Sequence, residues 1–506
     1  MKYISHIIFS TALLCTISLH CIAQKIDHTW VYGKDSNNPL VKFTMMKFTP
    51  NGLSFETKPY DGAFLATTTA FTNNNDDVIL YSNGCSVYNK LGEIMKGGDT
   101  INGPVNGYWL TFCDLGYKDI MGIYPIPNPS DTNQIYLIHQ KRDLSQAGTY
   151  ALQYSLIDMG KEGGLGAVVK KDQVLVQGDL ERSAAIRHGN GRDWWIVIPD
   201  NFSPIFNKFI LSDKGVSDRF EQFETSKTTD STEMNQVIRF TPDGSKLVRY
   251  HHRLGVWIYD FDRCTGILSN PIYIKFTPIP LNKYHGFDFA ISPNSRYLYV
   301  VLDDFTKLVQ YDMASSQVDM TGDTVAVYDG FYSYSQPTVF GSMNLSPDGK
   351  IYITPGGCPL MHVINNPDLP GAACNVVQRG IQLPTWNYFS MPYFPNYRLY
   401  DLPASPCDTL GIDTPISTIQ QPDIPLVEGL LYPNPAQEQA SLYLPGWQGT
   451  GRVTITDALG RVVLEQVVSR DRTTFQVRNW PSGVYAVLVW KEGRLVAAEQ
   501  LVVQGN

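Results

Sequence analysis

From residue 24 to about residue 400, apolar and polar positions alternate in short runs, and each run stops at a turn. Asp77-Val78-Ile79-Leu80-Tyr81 leads into Ser82-Asn83-Gly84 and then Cys85-Ser86-Val87-Tyr88, an Asn-Gly hairpin between β-prone segments. Gln134–Ile138 follows Pro127-Asn128-Pro129-Ser130-Asp131, and Asn190-Gly191 precedes Asp193–Ile198. Three further turns share one pattern: Thr241-Pro242-Asp243-Gly244, Ser292-Pro293-Asn294-Ser295 and Ser346-Pro347-Asp348-Gly349. Proline presets φ, Asp or Asn bonds its own backbone, and Gly349 accepts positive φ. No segment before residue 400 carries three turns of 3.6-residue periodicity with caps, and the Gly-rich Met159–Gly166 reads as a loop.

Taking one turn residue per unit, at positions 75, 131, 190, 243, 294 and 348, gives gaps of 56, 59, 53, 51 and 54. Four antiparallel strands with their loops fill such a unit, and units repeated at this period predict a β-propeller. The fold class expected is all-β: about seven blades over residues 24–400, six or eight being the alternatives, followed by a small β-sandwich. One blade is assigned to strands around Trp30–Thr57, completed by strands around Trp386–Tyr400. Mixing both ends of the propeller in one blade would close the ring and remove its sheet edges.

Residues 401–429 break the pattern with five prolines and no sustained alternation, the signature of a linker. Residues 430–506 start afresh. Strands are expected at Ala440–Leu444, Arg452–Asp457, Arg461–Val468, Thr473–Val477, Val484–Lys491 and Arg494–Val503, with turns at the intervening Gly-containing segments. So short an alternating unit suits a β-sandwich.

Composition adds the setting. Charged residues are sparse (17%), aromatics are plentiful (12%), and the net charge is −8. That balance argues against a nucleic-acid partner, which needs a basic face. Lys2 followed by the apolar stretch Ile7–Leu19 reads as a secretory signal over residues 1–23, cut between Ala23 and Gln24 after the small-residue pattern of Cys21-Ile22-Ala23. The residue before Cys21 is His20, so a lipid-anchor signal is not expected. No later run is long and apolar enough to span a membrane. Six cysteines remain after the signal, and an oxidising compartment favours disulfides. The pairs closest in sequence are Cys85 with Cys113 and Cys358 with Cys374.

Candidate chemistry is thin. His285 and Asp288 in Tyr284-His285-Gly286-Phe287-Asp288, with Asp303-Asp304 nearby, sit on loops of two consecutive units. They are the candidate ligand loops, and with Asp260 and Asp262 they could line a polar channel mouth. Paired carboxylates there would suit glycoside chemistry if their spacing allowed it. His188 and Asp193 flanked by Arg187 and Arg192 read as a turn with charged flanks, and Asn73–Asp77 as a plain turn. His251-His252 are neighbours on a strand, expected to face opposite sides and so unable to share one metal. No phosphate loop, nucleophile elbow or His-Glu-x-x-His motif occurs. No cofactor, metal site or catalytic residue is assigned.

Two resemblances go further. Tyr432-Pro433-Asn434-Pro435, then Asp457-Ala458-Leu459-Gly460-Arg461, then Pro481-Ser482-Gly483-Val484-Tyr485 and the final Gln500–Val503 strand resemble the type A sorting domain of the Bacteroidota type IX secretion system. The resemblance implies passage through the periplasm, recognition by the secretion machinery, removal of residues 430–506, and release or attachment at the outer surface. Trp30-Val31-Tyr32-Gly33, Leu80–Asn89 and Arg187–Trp195 are similar to a group of secreted Bacteroidota propeller-like proteins, with WD-like turns, a resemblance that implies fold and location without chemistry. The expected function is therefore a secreted or surface-held binding module for a surface glycan or protein. The competing expectation is an extracellular polysaccharide hydrolase or lyase with carboxylates at the channel mouth.

Overall fold

A computed structural model describes residues 25–33, 43–58, 63–64, 66–103, 107–113, 116–144, 148–224, 236–278, 280, 285–286, 288–410, 430–457, 461–491 and 494–504. The expected signal cleavage at Ala23 and Gln24 lies outside the described residues, as does most of the linker. The chain divides into two compact units, 1–419 and 420–506.

The larger unit is a succession of antiparallel meanders. Sheet 1 contains Thr29–Tyr32, Phe43–Thr49 and Gly52–Lys58, and sheet 2 contains Thr69–Thr72, Val78–Ser82 and Val87–Asn89. Sheet 3 is Ile123–Pro127, Gln134–Arg142, Thr149–Asp158 and Ala167–Leu180. Sheet 4 begins Ala184–Arg187, Trp194–Pro199 and Ile205–Ser212, and Gly215–Val216 and Phe220–Phe223 both pair with its third strand. Sheet 5 is Gln236–Phe240, Lys246–His251, Gly255–Phe261 and Leu268–Lys275. Sheet 6 is Phe289–Ile291, Tyr297–Leu302, Lys307–Asp312 and Asp323–Val327. Sheet 7 is Met343–Leu345, Ile351–Ile353, Cys358–Ile364 and Val376–Asn387. A short helix, Gly107–Phe112, and a two-stranded hairpin, Tyr332–Ser333 with Gln336–Pro337, are additions to this plan.

Burial grades along each meander. The first strands of sheets 1 to 4 are buried at every position, whereas Gly52–Lys58 at the end of sheet 1 has no buried residue. A strand covered on both faces is largely apolar, while an outer strand needs only one apolar face. The repeated turns behave as their residues dictate. In the last of them Gly349 N donates to Ser346 O at 3.0 Å, Lys350 N to Asp348 Oδ1 at 3.1 Å, and Tyr352 Oη to Asp348 Oδ2 at 2.8 Å.

Sheets 7 and 1 meet along a packed seam. Trp30 lies edge-on to Phe48 (5.0 Å) and Tyr352 (5.9 Å), and Thr44 Oγ1 is 2.8 Å from Thr385 Oγ1. Gly33 (φ +96°) runs so close to sheet 7 that a Cβ there would strike Thr385 Oγ1.

The expected mixed blade forms only in outline. Thr29–Tyr32 pairs with Phe43–Thr49 and with no strand from residues 386–400. The segment 388–401 nonetheless runs beside it in the opposite sense, with Met391 Sδ at Tyr32 Oη (3.9 Å) and Arg398 at Asp27 (2.7 Å). Pro392 and Pro395 remove two backbone donors, so this strap cannot complete a ladder. It is held instead by side chains that reach across the ring. Tyr393 Oη accepts from Ala185 N (3.1 Å), Tyr397 Oη donates to Pro125 O (2.6 Å), and Asn344 Nδ2 donates to Pro392 O (2.8 Å).

Buried ion pairs tie the inner strands together. Arg249 and Glu181 are both fully shielded, joined at 2.8 Å, with Gln236 Oε1 as a further acceptor for Arg249 at 2.7 Å. Two charges are held out of water here by mutual pairing and an added hydrogen bond.

The smaller unit is a two-sheet sandwich: Leu430–Tyr432, Gln439–Tyr443 and Arg472–Gln476 against Val462–Val468, Gly451–Thr456, Gly483–Lys491 and Arg494–Val503. Leu442, Val453, Ile455, Phe475, Val487 and Leu501 fill the space between them.

Candidate functional site

The residues singled out from the sequence separate into different environments. Asp288 is fully buried. Its Oδ1 lies 2.7 Å from Arg239 Nη1 and accepts from Phe289 N (2.8 Å), and its Oδ2 accepts from Met343 N (3.0 Å). It pins sheets 5, 6 and 7 together. Asp303 and Asp304 are exposed on the hairpin between Tyr297–Leu302 and Lys307–Asp312, and Asp303 pairs with Lys307 at 2.7 Å. His285 is buried, with Nε2 donating to Thr277 O (3.1 Å) and Nδ1 accepting from Asp303 N (3.1 Å). Burial lowers its pKa, in keeping with an imidazole whose Nδ1 must stay free to accept. So His285 and Asp303 meet through the backbone, while the Asp288 carboxylate is taken up by Arg239 and two backbone amides.

Other early candidates resolve as turns. Asn73 Oδ1 accepts from the amides of Asn75 and Asp77, both at 2.9 Å. His188 Nε2 faces Cys264 O at 3.0 Å, and Asp193 is bonded by Asn190 and Arg192. His251 and His252 do not face apart: the strand ends at His251, the chain turns, and the rings stack with centroids 5.1 Å apart. Among the described residues no group of three or more His, Cys, Asp or Glu could hold a metal.

The disulfide expectation needs one correction. Cys85 pairs with Cys113 as read, but Cys358 and Cys374 are free and buried, and the second bridge joins Cys264 to Cys407. Cys358 starts the strand Cys358–Ile364, whereas Cys374 lies beside its other end, its carbonyl accepting from Asn366 N. Six residues of strand put roughly 20 Å between them, beyond disulfide reach.

A feature not singled out from the sequence is a cleft under the hairpin that joins sheet 6 to sheet 7. It has a volume of about 440 Å³ and is walled by Phe305, Tyr334, Gln336, Trp386, Tyr388 and Phe389, with no acidic or basic side chain in its lining. Tyr334 is 70% exposed, and its ring centroid lies 4.9 Å from that of Trp386 at an angle of 45°. Tyr334 and Ser335 both have positive φ (48° and 67°). Hairpin turns with two such residues select Asn-Gly, and a tyrosine there is strained. Phe305, on the opposite wall, closes a run of three positive φ values, 51°, 57° and 67° at Asp303, Asp304 and Phe305. His285, through Asp303 N, holds that run in place. The candidate loop 303–304 thus leads into the cleft, but the side chain it delivers is Phe305. The sequence signal was available in the aromatic density of Phe331-Tyr332-Ser333-Tyr334 and Trp386-Asn387-Tyr388-Phe389.

A second cavity, of about 250 Å³, lies where the strap crosses the ends of the inner strands, lined by Asp27, Arg239, Asn344, Tyr393, Asn396 and Arg398 among others. Its polar groups are already engaged: Asn396 Nδ2 donates to Pro242 O (2.7 Å), Asn344 to Pro392 O, and Arg398 to Asp27.

In the smaller unit the motif residues secure strand ends. Asn434 Oδ1 accepts from Val502 N (2.8 Å), and its Nδ2 donates to Gln500 O (2.6 Å), so the Tyr432-Pro433-Asn434-Pro435 entrance clasps the final strand. Asp457 accepts from Arg461 N (3.0 Å) and Nε (2.8 Å). Tyr485 Oη donates to Pro481 O (2.7 Å), and Gly483 opens the same strand; Gly460 is outside the described residues.

Comparison with known proteins agrees with that reading. Residues 430–504 match the family model described as the secretion system C-terminal sorting domain. No curated protein matches the chain. Solved structures with similar arrangements include PorZ of Porphyromonas gingivalis, described as a bacterial surface component of the type IX secretion system (12% identity, 95% of this chain and 73% of that one, TM-score 0.30). They also include a protein from Lactobacillus plantarum (11%, 71% and 98%, TM-score 0.39) and the Swd1 β-propeller domain of Myceliophteria thermophila (10%, 65% and 91%, TM-score 0.36). Superpositions this loose carry nothing about what this chain binds. Among the described residues no helix is long and apolar enough to cross a membrane. The chain is an all-β, propeller-like protein of the Bacteroidota type that carries a type IX secretion C-terminal sorting domain, secreted or displayed at the cell surface.

Proposed function

We propose that this chain is a binding module, cut from its sorting domain during export, whose surface glycan or protein ligand docks in the cleft between Phe305, Tyr334 and Trp386. One observation carries the reading. Tyr334 occupies a strained backbone position and yet holds its ring open to solvent. Strain of this kind costs about 1–3 kcal/mol and persists where surrounding structure and function require it. Exposed aromatic rings in a concave, uncharged setting are the common equipment of ligand sites.

The hydrolase reading draws no comparable support. Asp288 is neutralised by Arg239 in the interior, and Asp303 and Asp304 lie on an exposed turn.

The test is a glycan and protein array probed with the full chain, run beside a reducing-sugar release assay. Binding without release, lost in Tyr334→Ala and Trp386→Ala, is the expected result. Release of sugar that Asp303→Asn abolishes would replace this reading with the enzymatic one. Mass spectrometry of medium and outer membrane should find peptides up to the linker and none from Leu430 onward.

A further inference from the structure

We infer that the cleft takes an uncharged oligosaccharide, its pyranose rings stacked on Tyr334 and Trp386; this rests on the cleft being the binding site. The first reason is charge. Every side chain in the lining is neutral, so a uronate, phosphate or sialate group entering it would lose hydration and meet no counter-charge. The chain has the charged residues to do otherwise: Asp329 and Arg379 lie close by but are bonded to each other, with the guanidinium 4.5 Å over Phe331. They are spent on the hairpin's outer support.

The second reason is shape. Tyr334 and Trp386 meet at 45° and form two faces of a trough. A pyranose has an apolar C–H face that such a ring covers, while its hydroxyls project sideways. The volume of about 440 Å³ lies in the range of small-molecule sites.

The third reason is hydrogen bonding. The polar side-chain groups of the lining are the Gln336 amide, the phenols of Tyr334 and Tyr388 and the Trp386 indole N–H; all but the indole can both donate and accept. Sugar hydroxyls also do both. A proline-rich peptide, the other ligand that aromatic grooves accept, offers chiefly carbonyl acceptors and would use only the donor half of these groups. Pro337 and Pro355, which contribute no backbone donor, line the same cleft and weaken its capacity to hold a peptide backbone.

The experiment is isothermal titration of the full chain with cellohexaose, laminarihexaose, maltohexaose and xylohexaose, and with decaproline and oligogalacturonate as rivals. Binding of a neutral oligosaccharide is expected, weakened about tenfold or more by Trp386→Ala and by Tyr334→Ala, and partly kept by Trp386→Phe. Raising NaCl from about 50 to about 500 mM should change it less than about twofold, because no charge pair is involved. Melting curves of the variants show that they fold. Decaproline or oligogalacturonate binding that depends on Trp386, with no oligosaccharide heat, would overturn the saccharide inference and leave the cleft as the site. Oligosaccharide binding indifferent to Tyr334 and Trp386 would overturn both, as would no binding by any probe at millimolar concentration.

Discussion

Arg398 holds Asp27 with both arms of its guanidinium, Nη1 at 2.9 Å and Nη2 at 2.7 Å, across 371 residues of sequence. It bonds the entry of the ring directly to the strap that crosses it. Charge-assisted bonds of this kind contribute about 1.5–3 kcal/mol. A double-mutant cycle of Arg398→Ala and Asp27→Ala should therefore show a coupling above about 1 kcal/mol in urea unfolding. A coupling near zero would mean that the seam around Trp30 alone closes the ring.

The Tyr334-Ser335 turn trades stability for an open aromatic face. Replacing it with Asn-Gly, the pair its backbone prefers, should stabilise the larger unit by about 1–2 kcal/mol and abolish ligand binding together with the Tyr334 ring. Differential scanning calorimetry read beside titration checks both halves. A turn variant that loses stability would show that Tyr334 serves the hairpin itself.

Thiol mapping distinguishes the two cysteine patterns. Native protein treated with iodoacetamide should stay unlabelled at Cys358 and Cys374, since both are buried and burial raises their pKa. Denatured, unreduced protein should be labelled at those two and nowhere else among the six. Removing the Cys264–Cys407 bridge, which spans 143 residues, with a double serine variant should cost about 2–5 kcal/mol.

Mild acid should weaken the larger unit through two buried histidines. His139 is fully buried between Asn102 Oδ1 (2.7 Å) and Ser155 Oγ (3.0 Å), and burial pushes its pKa down to about 3; that of His362 falls to about 4. Both folded values lie below the unfolded one, so the stabilisation is present above about pH 6.5 and is lost as pH falls toward 4 for His362 and toward 3 for His139. Near pH 5 the loss should be about 2 kcal/mol per histidine. Unfolding midpoints measured from pH 7.5 to 5 should fall accordingly, with a shallower slope in His139→Asn.

Local chemistry made the sheets legible. Pro-Asp-Gly turns and Asn-Gly hairpins are decided by the four residues that form them, and the strands of the smaller unit follow from strict alternation. The cleft depends on Phe305, Tyr334 and Trp386 converging from three separate segments, and on the sign of φ at residues whose type disfavours it; neither is written in a local pattern. Asp288 looked like a loop carboxylate because its partner, Arg239, stands 49 residues away. The Cys264–Cys407 bridge was hidden by a longer separation still, 143 residues, and the strap lost its ladder to two prolines within an otherwise strand-like run.

That bridge has a mechanical consequence. Cys407 is fastened to sheet 5's Asp262–Gly266 turn through Cys264, and Leu402 N is bonded to Gly189 O at 2.7 Å. A pull applied to the chain beyond residue 410 enters the body at a covalent joint next to a strand pair, and bypasses residues 388–401. The crossing segment is thereby spared tension, so a load on the tail does not unlace the ring.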